Sequence, residues 1–249
     1  MADKLTTQSY WESYYKNNHA DKTHIQAVCS RYDTYWHKFI DTESQGKSII
    51  EIGGFPGRYL AYLSDKFKLV PTSLDYNSDA SQIKNTFGVM DLDEFTILQQ
   101  DFTQFQTEKT YDYVMSNGFI EHFEDFDTIL DMHVTYMKDD GKLYVMIPNM
   151  RGYINLYKYL VDHQNLTIHN LKSMRLKVFK DFAKRNDLKI TFLSYFGGFP
   201  YGVHQKLNLF QKVIYQAHRL FFKKFGDAIL TKHPNRFLSS SIVAIFEKN

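Results

Sequence analysis

Three glycines follow a strand-like segment at a point where a ligand could approach the backbone. Gly53, Gly54 and Gly57 come directly after residues 47–52, and Glu51 places a carboxylate beside them. Glycine permits a tight turn and close approach of a ligand, and the start of a following helix attracts anionic groups. Taken alone, the cluster is consistent with either an ordinary strand-to-helix turn or a ligand-binding loop.

Polar residues also end the next three strand-like segments. Asp75 ends the second segment, Asp101 and Phe102 follow the third, and Asn117 follows the fourth. Ligands of open parallel sheets bind at the carboxyl ends of the strands, where one carboxylate can accept hydrogen bonds from a ribose. A second carboxylate could accept an amino hydrogen bond from adenine, with a ring covering the base. A helix cap or a solvated turn explains a single acid, but not four strand ends in register.

The elements that must position these residues alternate between strand-like and helix-like segments. The strand-like segments are 47–52, 68–75, 95–100, 111–116 and 142–147, and the helix-like segments are 58–67, 78–87 and 126–137. This alternation predicts an α/β fold in which helices cover both faces of a parallel sheet. Because Pro71 is unfavourable inside a strand, we expect the second strand to begin near Thr72.

The two ends of the chain depart from this alternation. We expect residues 1–45 to form an N-terminal helical lid or appendage, and residues 46–249 to form the main domain with an insertion at 197–238. Later elements of the main domain are a helix at 173–186 and strands at 188–196 and 239–246. Inside the insertion, apolar residues at helical spacing alternate with basic ones, which predicts an amphipathic helix over 207–225. We favour packing of its apolar face on the domain or on a second subunit of a homodimer, and peripheral contact with an anionic membrane is the alternative.

Composition excludes several classes of protein. The 30 basic and 28 acidic residues nearly balance, so no nucleic-acid partner is expected, and 43% hydrophobic content argues against disorder. The single cysteine, Cys29, cannot form an internal disulfide or a thiolate metal cage. Apolar stretches stay below the ~18 residues of a spanning helix, and the first residues lack a signal-peptide core, so a cytoplasmic protein is expected. The 16% aromatic content suits flat ligands and sugars.

The ordered motifs EIGGFPG, SLDYN, QQDF, YDYVMSNGFIEHF and DDGKLYVMIPN resemble the class I S-adenosylmethionine-dependent methyltransferases over residues 45–196. The resemblance implies a doubly wound, Rossmann-like sheet, mostly parallel with an antiparallel last strand, and S-adenosylmethionine as cofactor. It assigns Glu51, Gly53, Gly54 and Gly57 to the methionine portion, Asp75 to the ribose, Asp101 and Phe102 to the adenine, and Asn117 to the sulfonium region. Tyr76 is a further candidate cofactor-binding residue. Tyr10 or Tyr14 is a candidate cover over the cofactor carboxylate, and plain packing is the favoured alternative. Phe55 departs from the family, which usually has glycine there.

Methyl transfer to a hydroxyl also requires removal of a proton, so a base is expected beside the sulfonium. His122, just past the fourth strand, is the candidate general base, and Glu121 precedes it directly. His204 and Asp125 are further candidates, and a surface histidine that caps a helix is the alternative reading of His122. Glu121 and His122 side by side could instead hold a divalent ion, but adjacent residues rarely bind a metal alone, so the base role is favoured and no metal is predicted.

The segments PNMRGY, IHNLKSM and YFGGFPYG are similar to methyltransferases of bacterial surface-glycan assembly. This similarity implies a sugar or glycan hydroxyl as acceptor, with aromatic rings stacked on the sugar. A small aromatic or lipid-like metabolite is the alternative acceptor. A pseudoenzyme that binds the cofactor without transferring its methyl group is the alternative class.

Overall fold

A seven-stranded sheet forms the centre of the computed structural model, which describes residues 3–16, 20–77 and 79–248. Its strand order is β3-β2-β1-β4-β5-β7-β6. The strands are β1 (Ser48–Ile52), β2 (Val70–Asp75), β3 (Thr96–Gln99), β4 (Tyr111–Asn117), β5 (Met137–Pro148), β6 (Leu188–Phe196) and β7 (Ser241–Lys248). Strands β1 to β5 pair in parallel, whereas β7 pairs antiparallel with both β5 and β6. The predicted Rossmann-like fold, with its antiparallel last strand, is therefore confirmed.

Helices cover both faces of this sheet. They are α1 (Gln8–Tyr15), α2 (Lys22–Cys29), α3 (Asp33–Phe39), α4 (Arg58–Phe67), α5 (Ala80–Gly88), α6 (Phe126–Met132), α7 (Tyr153–Val161), α8 (His163–Thr167), α9 (Leu176–Arg185), α10 (Leu209–Phe221) and α11 (Asp227–Lys232). Side chains alternate across a strand, so Ile50 and Ile52 of β1 join one core while Ile49 joins the core on the opposite face. Ser78, the first residue of the helix predicted at 78–87, lies outside the described residues.

Part of the N-terminal region completes one of these cores. Trp36 and Phe39 of α3 are fully buried, and the Trp36 ring lies 4.7 Å from that of Tyr144 in β5. Helices α2 and α3 are therefore integral to the core, and only residues 3–16 lie over the carboxyl edge of the sheet as a cover would. The division of the chain at residue 45 stays a prediction.

Two of the strand starts that differ from the predicted ones are explained by pairing with neighbouring strands. Strand β2 begins at Val70 rather than near Thr72, because Pro71 pairs only with β1, and the ladder with β3 starts one residue later. Strand β5 begins at Met137 rather than at residue 142, because a register shift opposite β4 lets residues 137–141 continue the strand. The predicted helix at 126–137 therefore ends at Met132 and is followed by a short 3-10 helix.

The predicted amphipathic helix exists as α10, but most of its apolar row does not pack on the domain, and packing on a second subunit stays a prediction. Phe210, Val213 and Leu220 are 69–70% exposed, because the opposite side of the helix faces the domain. Packing on that side continues into the following turn, where the Phe222 ring stacks on Phe199 with centroids 4.0 Å apart. None of the described helices is long and apolar enough to cross a membrane.

Candidate active site

A cleft of about 360 Å³ opens at the carboxyl edge of the parallel strands. The sequence-predicted residues that line it are Glu51, Gly53, Gly54, Asp75, Tyr76, Asp101, Phe102, Asn117, Glu121 and His122. Four predicted residues, Tyr10, Gly57, Asp125 and His204, are not part of its lining, and Asp125 instead caps α6 by accepting the Thr128 N–H. The strand ends meet there because β1, β2, β3 and β4 are neighbours that run in the same direction.

The glycine turn leaves no space for side chains at its first two positions. Gly53 has φ +66°, and a Cβ there would lie 2.0 Å from the Phe119 ring. A Cβ on Gly54 would lie 2.1 Å from the Glu51 carboxyl carbon. Gly57 is the N-cap of α4 with φ +88°, a backbone conformation that favours glycine, and its contact with the cofactor stays a prediction.

Glu51 is fully buried and is bonded on both oxygens. Asn117 Nδ2 donates to Oε1 over 3.0 Å, and the Leu60 backbone N–H donates to Oε2 over 3.3 Å. Burial raises the pKa of Glu51 to about 7. Asn117 Oδ1 is buried without a hydrogen-bond partner among the described residues, so it is the free polar atom of this pair.

Asp75 is held by two backbone donors. The Phe55 N–H donates to Oδ2 over 3.1 Å and the Asn77 N–H donates to Oδ1 over 2.7 Å. Burial raises the pKa of Asp75, while these two donors act to lower it. The centroid of the Phe55 ring lies 5.3 Å from that of Tyr15. Phe55, which stands where the family usually has glycine, therefore places its side chain in the core, while its backbone N–H orients Asp75.

The N-terminal segment crosses the cleft and binds Asp101. Lys4 Nζ lies 2.6 Å from Asp101 Oδ2, and the Thr103 N–H and hydroxyl donate to Oδ1. Burial acts to raise the pKa of Asp101, but the Lys4 and Thr103 bonds outweigh it and hold that pKa below its usual value. The Leu5 N–H donates to the His122 carbonyl over 2.8 Å, which holds the N-terminal segment against the residues that follow β4. Phe102 lines the cleft and packs against Phe119.

Glu121 and His122 form the inner end of the cleft. Both Glu121 oxygens lack a hydrogen-bond partner among the described residues, and burial raises the pKa of this carboxyl to about 8. His122 Nδ1 must donate to the Ile168 carbonyl, 2.7 Å away, so Nε2 carries the lone pair and lies 3.9 Å from Glu121 Oε1. Burial, and then the neighbouring His169, lower the pKa of His122 to about 3. The imidazole is therefore neutral, and its pKa is well below the near-neutral value expected of a general base.

His204 and Tyr10 do not occupy the positions expected of them. The His204 side chain is half exposed, and its Nδ1 lies 3.2 Å from Asp162 Oδ2, outside the cleft lining. Tyr10 lies on the outward side of α1 with its ring against Trp11. The aromatic residues of this helix that reach the cleft are Trp11, Tyr14 and Tyr15.

Sequence reasoning missed several lining residues, three of which carry basic side chains. His169 follows α8, with its ring centroid 4.6 Å from that of His122. Arg58 begins α4 directly after the glycine turn, and Lys4 lies in the crossing segment. The position of Arg58 at a helix start beside the turn could have indicated it, whereas no sequence pattern brings His169 to His122.

This strand order, with a glycine turn after β1 and carboxylates after β2 and β3, defines a class of nucleoside-binding α/β enzymes. A profile of the methyltransferase domain family matches residues 23–193. The chain therefore belongs to the methyltransferase domain family, within the class I S-adenosylmethionine-dependent methyltransferases, whose cofactor is S-adenosylmethionine.

Similar proteins include plant N-methyltransferases. The (S)-tetrahydroprotoberberine N-methyltransferase of Eschscholzia californica is 28% identical over 102 residues, which are 40% of this chain and 29% of the plant enzyme. The (S)-coclaurine N-methyltransferase of Papaver somniferum is 27% identical over 105 residues, with the same shares. The match thus spans less than a third of either relative.

Solved structures share the fold at low sequence identity. A methyltransferase from Archaeoglobus fulgidus superposes with a TM-score of 0.57 at 16% identity, over 98% of this chain and all of that one. Coclaurine N-methyltransferase bound to N-methylheliamine and SAH superposes with a TM-score of 0.56 at 13% identity, over 93% of this chain and 75% of that chain.

Proposed function

We propose that this protein transfers the methyl group of S-adenosylmethionine to a hydroxyl of a sugar or glycan. The observation that carries the proposal is the continuity of the cleft, which runs from Asp75 and Asn117 to the buried pair Glu121 and His122. One end therefore suits a nucleoside, and the other offers a proton acceptor where the acceptor would meet the methyl group.

The residues of the strand ends fit the cofactor. Asp75, oriented by two backbone donors, would accept hydrogen bonds from the ribose hydroxyls. The Gly53-Gly54 turn would hold the methionine portion, and Arg58 at the start of α4 would pair with its carboxylate. Asp101 would accept a hydrogen bond from the adenine amino group, next to its ion pair with Lys4.

When bound, the cofactor supplies an electrophilic methyl carbon whose bond to sulfur breaks as its bond to the acceptor oxygen forms. As the acceptor hydroxyl attacks, its oxygen gains positive charge and its proton becomes strongly acidic, so His122 Nε2 can take this proton despite the low pKa of the imidazole. Trp11 covers His122 with a ring centroid 4.9 Å away and would exclude water while the reacting atoms are held in line.

Two features favour a ring-shaped acceptor at the inner end. Trp11, Tyr14 and Tyr15 of α1 line the cleft, and such rings pack on the apolar face of a sugar or on an aromatic metabolite. Glu121 offers a carboxyl that has no hydrogen-bond partner within the described part of the chain and would bind an acceptor hydroxyl. An amine is the second candidate acceptor, because the plant relatives are named N-methyltransferases and Glu121 would equally pair with an ammonium group.

A labelled-methyl screen tests the acceptor. The protein is incubated with S-adenosylmethionine carrying a deuterated methyl group and with matched panels of sugars, phenols and amines, and products are identified by mass spectrometry. A methyl ether on a sugar supports the proposal, whereas a methylated phenol or amine as the sole product overturns it. Binding of S-adenosylhomocysteine without any product would identify a pseudoenzyme instead.

We also propose that the exposed row on α10 meets an anionic membrane surface, which would bring the enzyme to a lipid-linked acceptor. Phe210, Val213 and Leu220 form this row, and Lys212 and Arg219 lie beside it with exposed side chains. An apolar row flanked by basic residues is typical of helices that lie in the plane of a membrane.

Vesicle sedimentation tests this contact. We expect the protein to pellet with anionic phosphatidylserine vesicles at low salt and not with neutral vesicles, and the double variant Lys212→Glu, Arg219→Glu to stay in the supernatant. The control is Lys180→Glu, Lys184→Glu on α9, which should pellet normally. Failure of the wild-type protein to pellet would overturn the proposal, and a dimer broken by Phe210→Ser would assign the row to a second copy.

A further inference from the structure

We propose that Glu121, His122 and His169 bind a divalent transition-metal ion of the Zn²⁺ type at the inner end of the cleft. Each residue offers one ligand atom, and these three atoms lie within 4.8 Å of one another. The cluster joins two segments that are distant in the sequence, so it exists only in the folded chain.

Both histidines are oriented as metal-binding histidines are. His122 Nδ1 donates to the Ile168 carbonyl over 2.7 Å, and His169 Nδ1 donates to the Asn165 carbonyl over 2.5 Å. Each ring therefore keeps Nε2 for a ligand. A backbone carbonyl on the other ring nitrogen is the usual support of a metal-bound imidazole, because it fixes both the tautomer and the ring direction.

Glu121 provides the independent observation that points to a ligand. Its side chain is fully buried, and neither carboxyl oxygen has a hydrogen-bond partner among the described residues. A buried carboxyl without a partner is unfavourable, and a bound cation would satisfy it. The Asn170 N–H donates to the Glu121 carbonyl over 2.6 Å, which holds the segment carrying His169 against Glu121.

The ligand types select the ion. Two imidazoles and one carboxylate suit zinc or a similar first-row ion, whereas magnesium and calcium prefer oxygen ligands only. Ligand atoms about 2.1 Å from zinc lie roughly 3.4 Å apart, so the three side chains would need to close by about 1 Å. Three protein ligands leave one position open toward the cleft.

This inference rests on the proposed function for its chemical role. An acceptor hydroxyl in the open position would be oriented beside the methyl group, and the cation would lower the pKa of that hydroxyl. The oxygen would then attack as an alkoxide, with its proton released to solvent, and His122 would act as a ligand rather than as a base.

A cobalt titration tests the site without any methyl acceptor. Chelator-treated full-length protein is titrated with Co²⁺, and its visible absorption and bound stoichiometry are followed. We expect one ion per chain, with the absorption bands of a four-coordinate site, and competition by Zn²⁺ but not by Mg²⁺. Glu121→Gln and His169→Asn should each weaken binding at least tenfold, whereas His204→Gln, a nearby histidine outside the cluster, should bind as wild type does.

Calorimetry with S-adenosylhomocysteine on every variant separates this inference from the proposed function and shows that each variant folds. If the wild-type protein binds S-adenosylhomocysteine but binds no Co²⁺, or if the His204→Gln variant loses Co²⁺ as the cluster variants do, the metal site is refuted. If Co²⁺ binds at the cluster but no hydroxyl acceptor is methylated, the proposed function fails and the site remains.

Discussion

Asn117 Nδ2 donates to Glu51 Oε1 over 3.0 Å and thereby joins the end of β4 to the end of β1 inside the cleft. Because the other Glu51 oxygen accepts the Leu60 N–H, this carboxyl also holds the first turn of α4. Glu51 thus connects the end of β4 with the first turn of α4, on the two sides of the glycine turn. Asn117 Oδ1 has no hydrogen-bond partner among the described residues, so it is the polar atom of this pair that can bind a ligand.

Replacing Asn117 tests this connection. In Asn117→Ala, Glu51 Oε1 would remain buried without its donor, at a cost of about 1–3 kcal/mol in unfolding free energy. Urea unfolding would measure that loss, and calorimetry with S-adenosylhomocysteine should show at least tenfold weaker binding. Asn186→Ala removes a comparable bond to Asp131 outside the cleft and should leave cofactor binding unchanged. Equal binding by both variants would contradict the assigned role of Asn117.

Asp75 should dominate the affinity for the nucleoside. Charge-assisted hydrogen bonds contribute about 1.5–3 kcal/mol, so Asp75→Asn should weaken binding of S-adenosylhomocysteine by roughly 10- to 100-fold in calorimetry. Asp112→Asn is the matched control, because Asp112 accepts bonds from Ser48 at the opposite edge of the same sheet. Similar affinities for the two variants would show that the ribose lies elsewhere.

Trp11 should report cofactor binding by fluorescence. Its ring lines the cleft, whereas Trp36 is fully buried in the core. We expect the tryptophan emission to change on titration with S-adenosylhomocysteine, and the change to persist in Trp36→Phe and to disappear in Trp11→Phe. A signal retained in Trp11→Phe, with binding intact by calorimetry, would mean that α1 does not cover the bound nucleoside.

His133 should make stability depend on pH. Its ring is fully buried, and burial lowers its pKa from 6.5 to about 4, although the Ile129 carbonyl favours the charged form. Below pH 6.5 the unfolded chain therefore binds a proton that the folded chain does not, so stability falls as the pH drops toward 4. Between pH 7.5 and pH 5 this amounts to about 2 kcal/mol.

Urea unfolding of His133→Gln at these two pH values measures that contribution. The variant should lose about 2 kcal/mol less than wild type on going to pH 5, while His163→Gln, at an exposed histidine, should follow wild type. Parallel pH profiles for His133→Gln and wild type would show that His133 is already charged in the folded protein.

Local patterns were sufficient to predict the sheet and its ligand edge. Alternating strands and helices imply a parallel sheet, and a parallel sheet brings residues after successive strands to one edge. Asp75, Asp101 and Asn117 therefore meet as the sequence predicted. The predicted strand boundaries were wrong where pairing with neighbouring strands determined them. At Pro71, for example, the missing N–H is tolerated because this residue pairs with only one strand.

Only the tertiary structure decided what surrounds each predicted side chain. Lys4 reaches Asp101 across 97 residues, and His169 reaches Glu121 and His122 across a stretch that contains α6, β5, α7 and α8. No periodic pattern in the sequence predicts either contact. Burial, which follows from the packing of the whole chain, then lowers the pKa of His122 far below the value expected of a base. The sequence alone determined the parallel sheet and its ligand edge because both follow from local periodicity, and the resemblance of its ordered motifs to a known family indicated the cofactor. The chemistry at the inner end depends on long-range packing, which no local pattern encodes.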